Sequence, residues 1–179
     1  MKLNEKKLTL KYRAKTFYFA SLFLPKKIRK DIENLYIFCR FLDDLGDDQK
    51  LSKIESFKKL RKVKKQIKKK KSTFPVVKNF IELMVKHKIN ENVPLELIKG
   101  IEYDLKGKVN VKTFEELIKY CYQVAGTVGF MFCKIIKVKD KKLILGGIQL
   151  GIAMQLTNIS RDVVEDLKMN RIYIPKTMR

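Results

Sequence analysis

An all-α fold in one domain is predicted by three features of this 179-residue sequence. Long stretches without Pro are rich in Leu, Ile, Lys and Glu, which favour helix, and Pro occurs only 4 times. Apolar residues recur with a helical period of about 3.6 along most of the chain. The third feature is the stretch GIAMQLTNISRDVVED (151–166), which reads as a buried helix, apolar on most sides with one polar stripe. At roughly 100° per residue, Gln155, Asn158, Asp162 and Asp166 fall within a sector of about 80°. Buried carboxylates and amides are costly unless satisfied. The stripe therefore requires a partner.

The length suits a single domain, 1–179, with a substantial core. Hydrophobic residues make up 45% and charged residues 34%, which excludes a disordered chain. The net charge of +22 points either to a polyanionic partner or to solvated faces filled with Lys. Lys is spread over most helices and dominates over Arg, which favours solvated faces. Cys39, Cys121 and Cys133 form an odd set in apolar helical contexts, with no CxxC. They read as small core residues of a reducing compartment, not as a disulfide framework or zinc site. His87 is the single histidine and falls in a Lys-rich connection, which excludes histidine-based triads. Each apolar stretch is expected to be interrupted by charge before it could span a bilayer. A soluble, cytoplasmic protein is expected, with peripheral contact at the inner face of the membrane.

Residues 1–15 form a basic lead-in, and TFYFASLFLP (16–25) is an aromatic run that reads as core packing, stopped by Pro25. Residues 26–48 form a helix buried through Ile28, Ile32, Leu35, Tyr36 and Cys39. Its second stripe, Tyr36, Arg40, Asp43 and Asp47, lies within about 60°. Gly46 inside it costs about 1 kcal/mol relative to Ala, which suggests either close approach or a fraying end. Residues 50–72 form a basic amphipathic helix with Ile54, Phe57, Leu60, Val63 and Ile67 as its apolar stripe. Residues 74–105 read as two short helices, with Pro75 and Pro94 at their starts. After a loop at 108–112, Thr113 and Glu116 form a capping box for a helix over 114–136. That helix is almost wholly apolar after Lys119, and Ala125, Gly126 and Gly129 permit close packing or room for a ligand. A short linker leads into the opening stretch, a helix over 143–166. Internal repeats, a P-loop and a Gly-rich dinucleotide fingerprint are absent from the sequence.

The two stripes carry matching carboxylate pairs four residues apart, Asp43/Asp47 and Asp162/Asp166. If they face one another, repulsion raises their pKa values and opposes folding unless cations sit between them. Hard oxygen ligands select Mg²⁺ or Mn²⁺ over zinc. Magnesium held by few carboxylates keeps positions open for phosphate oxygens, and Arg40 and Arg171 could clamp a diphosphate by charge-assisted hydrogen bonds. Metal, diphosphate and apolar aromatic walls together imply ionisation to a carbocation shielded from water.

At these residues the chain resembles the squalene/phytoene synthase family of head-to-head prenyl transferases, with the all-helical isoprenoid synthase fold around a central cavity. The matching segments are TFYFASLFLP (16–25), LYIFCRFLDDLGDD (35–48), EELIKYCYQVAGTVG (115–129) and GIAMQLTNISRDVVEDLKMNRIYIP (151–175). QLTNISRDVVED is closer to the phytoene synthase branch. The resemblance implies that Asp43 and Asp47 are the first aspartate-rich motif and that Asp162 and Asp166 are the second, together holding Mg²⁺ with Asn158. It places Tyr36, Arg40, Gln155 and Asn158 along the substrate site, and Thr16 and Phe17 against diphosphate and prenyl chain. Asp44, Asp48 and Arg161 match motif residues of supporting role. The implied reaction joins two geranylgeranyl diphosphates C1 to C1' through a cyclopropyl diphosphate to phytoene, without NADPH. The Tyr usual in the family just before the EELxxYC helix is missing from GKVNVKTF (107–114), which leaves the role of that phenol in doubt.

Other readings stand beside this one. A squalene- or dehydrosqualene-type synthase would use farnesyl diphosphate instead. A non-catalytic relative would act as a membrane-associated scaffold, although it would be expected to lose the aspartates that this chain keeps. A basic nucleic-acid-binding helical domain would show salt-sensitive DNA retention; no nucleic-acid partner is expected. The family continues for roughly another hundred residues after RIYIP, so the chain is expected to be a C-terminally truncated fragment. A split or degenerate gene, or completion by a second chain, are the alternatives. Loss of those helices is expected to expose core.

Overall fold

The computed structural model describes residues 14–47 and 52–179. The side chain of Asp47, residue Asp48 and the lead-in at 1–13 lie outside the described residues. Helix α1 (Lys15–Ser21) precedes α2 (Lys26–Asp47), α3 (Lys53–Lys68), α4 (Pro75–Lys86) and α5 (Asn92–Asp104). Strand β1 (Val109–Asn110) then leads to α6 (Phe114–Cys121), a π-helical turn (Tyr122–Gly126) and α7 (Thr127–Ile135). Helix α8 (Lys141–Arg161) continues into α9 (Val163–Lys168) and β2 (Arg171–Ile172), and a 3-10 turn covers Lys176–Met178.

The main core lies among α2, α3, α4, α5 and α7. Phe38 of α2 stacks on Phe80 of α4 with centroids 3.6 Å apart, and Leu42, Leu60, Ile67, Ile98 and Met131 close around them. Each such fully buried side chain contributes about 1.5–3 kcal/mol. The periodicity of α3 holds at Leu60, Val63 and Ile67, but Ile54 is exposed at the helix start. Pro75 opens α4 as predicted, and Pro94 lies in the first turn of α5. A second, smaller core gathers Val109, Val111, Leu117, Tyr120, Cys121, Ile159 and Tyr173. The segment expected as a plain loop supplies its edge, because β1 pairs in parallel with β2, Val109 opposite Arg171 and Asn110 opposite Ile172. Thr113 Oγ1 accepts from the Glu116 amide, while the Glu116 carboxylate accepts from Lys112 N at 2.8 Å, so the box closes one residue early.

Several expectations change. The helix over 114–136 is interrupted by the π turn at Tyr122–Gly126, beside small residues that seat it against α8. A Cβ on Gly129 would strike the carbonyl oxygen of Gly147, and one on Gly151 would stand 2.5 Å from that of Ala125. The small residues therefore serve close helix approach. The opposite face of α8, expected to be buried, is open: Leu143, Leu145, Leu150 and Met154 are all exposed. Charge also fails to interrupt its sequence, since the eighteen residues 143–160 carry none. By length and composition alone, α8 could cross a membrane. The aromatic run at 16–25 does not form core either. Phe17, Phe19, Leu22 and Phe23 are exposed, with Phe19 and Phe23 edge to face at 5.5 Å.

The single histidine is buried as the C-cap of α4, where Nε2 lies 2.8 Å from Asp31 Oδ2. Lys86 Nζ donates to both oxygens of the same carboxylate at 2.6 and 2.9 Å. This cluster ties the end of α4 to the first half of α2 and has no place in the cavity described next.

Candidate functional site

The helix predicted over 143–166 breaks at Asp162, whose backbone (φ −102°, ψ 20°) separates α8 from α9. The polar stripe nevertheless stays in phase. The Asp162 amide donates to the Asn158 carbonyl and the Asp166 amide to the Asp162 carbonyl, each at 2.9 Å. Gln155, Asn158, Asp162 and Asp166 consequently line one cavity of about 400 Å³. From the other side α2 contributes Arg40, Asp43 and Gly46, and β2 contributes Arg171. The two stripes thus meet across a cavity, with Ile101, Val124 and Ile159 as apolar wall between them. Gly46 matters for closeness here, since a Cβ would come 3.0 Å from Ile101 Cγ2.

Of the other predicted site residues, Thr16 and Phe17 lie exposed on α1, away from the cavity lining. Tyr36 is half-buried on α2, one turn before Arg40, and is also outside the lining. Asp47 closes α2, with its side chain outside the described residues.

The electrostatics differ from simple carboxylate repulsion. Arg161 lays its fork on Asp162, with Nε to Oδ1 and Nη2 to Oδ2 both at 2.6 Å. That bidentate bond holds the Asp162 carboxyl below the usual range, opposite to the rise expected from facing carboxylates. Arg40 Nη2 pairs with Asp44 at 2.9 Å, one turn along α2. Its Nε is buried and has no hydrogen-bond partner among the described residues. A buried unsatisfied guanidinium donor is costly, and an anionic oxygen entering the cavity would satisfy it.

Among the described residues, no group of three or more His, Cys, Asp or Glu gathers closely enough to hold a metal by itself. The groups lining the cavity that could ligate a cation offer oxygen: carboxylates of Asp43, Asp104, Asp162 and Asp166, amides of Gln155 and Asn158, and phenols of Tyr120 and Tyr173. That chemistry fits a hard cation. Magnesium commonly takes one or two carboxylates and completes its shell with water and substrate phosphate. The residues present therefore suit a cation that arrives with an anionic substrate.

Sequence reasoning missed three polar residues of this cavity, Asp104, Tyr120 and Tyr173, and its apolar wall of Ile101, Val124 and Ile159. Tyr173 Oη donates to Asp104 Oδ1 at 2.6 Å and Tyr120 Oη to Oδ2 at 2.9 Å, with the two phenol oxygens 3.2 Å apart. The rings stack at 4.7 Å. Burial, then the neighbouring Asp104 charge, pushes both phenol pKa values well up. Both tyrosines sit inside segments already singled out, EELIKYC and RIYIP. Asp104 had no periodic signal, being one acid at the end of α5.

The family model for squalene/phytoene synthase matches residues 10–178. The phytoene synthase of Pseudescherichia vulneris is 30% identical over 173 residues, covering 90% of this chain and 56% of that protein. The 15-cis-phytoene synthase of Enterobacter agglomerans is 32% identical over 172 residues, covering 90% and 58%. Among solved structures, squalene synthase HpnC from Alicyclobacillus acidocaldarius superposes with a TM-score of 0.82 at 25% identity, over 97% of this chain and 65% of that one. A dehydrosqualene synthase in complex with ligand gives 0.79 at 32%, over 94% and 59%. The chain thus spans little more than half the length of the curated relatives it matches. With the two polar stripes facing across a helical cavity and the family match running along nearly all of its length, this chain belongs to the squalene/phytoene synthase family.

Proposed function

We propose that this chain forms the diphosphate-binding part of a Mg²⁺-dependent head-to-head prenyl transferase that condenses two geranylgeranyl diphosphates to phytoene through a cyclopropyl diphosphate. The observation that carries the reading is the convergence of Arg40 and Asp43 with Gln155, Asn158, Asp162 and Asp166 on one cavity. The similarity to bacterial phytoene synthases supports the choice of substrate.

Arg40 offers its buried Nε to a diphosphate oxygen, and Arg171 lines the same cavity from β2. Asp43, Asp162 and Asp166, with Asp47 and Asn158, are the residues that would hold Mg²⁺. Bound there, Mg²⁺ (or Mn²⁺) supplies charge stabilisation to a departing diphosphate. Ile101, Val124 and Ile159 keep water from the prenyl cation left behind. Phenol faces of Tyr120 and Tyr173 add cation–π attraction. The exposed aromatics of α1 beside Lys26 and Lys27 suit peripheral contact with an anionic membrane, on the cytoplasmic side, where an oily product would leave.

Likeness to a squalene synthase and a dehydrosqualene synthase favours one second reading, in which the substrate is farnesyl diphosphate. Incubating the full-length gene product with each diphosphate and Mg²⁺ separates them. Diphosphate release with a C40 hydrocarbon from geranylgeranyl diphosphate is the expected result. Conversion of farnesyl diphosphate alone moves the chain to the second reading, and release from neither overturns the proposal.

A further inference from the structure

The π turn at Tyr122–Gly126 is wedged between α5 and α8, the helices that carry Ile101 and Ile159 on the cavity wall. In an α-helix the amide four residues on would answer the Gln123 carbonyl. Here the Thr127 amide reaches back five residues, to the Tyr122 carbonyl, and leaves the Gln123 carbonyl without that donor. Thr127 Oγ1 donates to it instead, at 2.8 Å. Thr127 is fully buried (0% exposed), so water does not stand in for its hydroxyl. A buried carbonyl left unanswered is costly. A Thr or Ser on an ordinary α-helix also bonds back four residues, as Thr157 and Ser160 do on α8. Those two are exposed and add a bond to an intact ladder, whereas Thr127 replaces one that the π turn has removed.

What the turn positions is Val124. This residue lines the cavity beside Ile101. It also lies against Gly100 of α5, where a Cβ would stand 2.5 Å from Val124 Cγ1 and 3.1 Å from Gln123 Cβ. Gln123 Nε2 donates to Glu96 Oε2 at 2.9 Å, which ties the turn to the same helix. On the other side, Gly151 of α8 leaves room for the Ala125 carbonyl. The turn is thus fitted on both sides, and its own geometry sets how far Val124 reaches into the cavity. Resting on the prenyl transfer reading above, we infer that Thr127 is a positioning residue that sets the length of prenyl chain the cavity admits. Its bond to the Gln123 carbonyl holds the π turn, and the π turn seats Val124 against Gly100. Without the hydroxyl the turn tightens towards α-helical spacing and Val124 leaves its seat. The wall then narrows, which penalises a C20 chain more than a C15 chain.

The test measures binding, independent of turnover, on the full-length gene product with Mg²⁺. Calorimetry with geranylgeranyl and farnesyl thiolodiphosphates, whose C–S bonds resist ionisation, gives the affinity ratio between the two chains. Thr127→Val keeps the branched shape without the hydroxyl. It is expected to lower the geranylgeranyl-to-farnesyl ratio about tenfold, the scale on which an apolar pocket reads a small change of shape. Thr127→Ser keeps the donor and should keep the wild-type ratio. Gly100→Ala, which displaces Val124 from the α5 side, should lower the ratio as Thr127→Val does. Inorganic diphosphate should bind the wild type and all three variants with equal affinity. An unchanged ratio in folded Thr127→Val overturns this inference alone. So does a Thr127→Ser ratio that falls as far, or an equal loss of affinity for inorganic diphosphate. If Thr127→Val does not fold, Gly100→Ala decides, and an unchanged ratio there overturns the inference in the same way. Wild-type protein that binds neither thiolodiphosphate overturns it together with the functional reading beneath it.

Discussion

Helix α2 carries an aspartate near each end, and the two ends are built to opposite rules. At Asp31 the polar atoms answer one another: the carboxylate takes Lys86 and His87 within 2.9 Å, and its side chain is 10% exposed. Three turns on, Arg40 leaves Nε buried without a partner among the described residues, and Asp43 lines a cavity. Burial would raise the Asp31 pKa, but the hydrogen bonds and charges of Lys86 and His87 outweigh it and hold the carboxyl below its usual value. The first end is therefore satisfied by protein alone and holds helices together. The second presents a donor that an incoming anion would answer. Charge density does not separate the two ends; completeness of pairing does.

Substitutions at the two ends should move different quantities. Asp162→Asn, across the cavity from Asp43, removes an acidic donor and the seat of Arg161. We expect turnover to fall by about a hundredfold or more, on the scale seen when one transition-state contact is lost, with thermal unfolding little changed. Initial rates beside a melting curve check this. Asp31→Ala should do the reverse. It leaves His87 and Lys86 without their buried partner and is expected to cost about 3 kcal/mol, read by urea unfolding. Turnover per folded molecule should persist. Arg40→Lys keeps the charge but loses the fork, and diphosphate affinity should drop about tenfold at unchanged stability. A smaller effect tests the sign of the Asp31 shift. Its folded pKa lies below the unfolded value, so its contribution is full above the unfolded pKa, near 3.8, and is lost as pH falls through the folded value. Asp31→Asn should flatten the acid limb of stability below about pH 4 and leave neutral pH-dependence alone.

The same contrast explains what could be seen in the chain before its structure. Both stripes were legible because four polar residues at helical spacing on an apolar ground cannot arise from core packing alone. Helix starts at Pro75 and the Thr113 cap were legible from local chemistry. Asp104 was not, because its significance depends on Tyr120 and Tyr173, 16 and 69 residues away. The buried Asp31 pairing was missed for the same reason: its partners are 55 and 56 residues distant. Burial of α8 was misjudged because periodicity reports which faces are apolar, not which are covered. Gly129, Gly147 and Gly151 seat one face on α7 and the π turn, while Leu143, Leu145, Leu150 and Met154 remain open on the other. The π turn itself has no sequence signature beyond the small residues it accommodates.

Binding of diphosphate with a divalent cation in the cavity between the stripes is tested most directly by calorimetric titration of inorganic diphosphate. With Mg²⁺ present, the wild-type protein should bind, and Arg40→Ala and Asp162→Asn should each weaken binding by about tenfold or more, whereas Asp31→Asn should bind as wild type does. Equal affinity in all four proteins, or binding indifferent to Mg²⁺, would contradict the account.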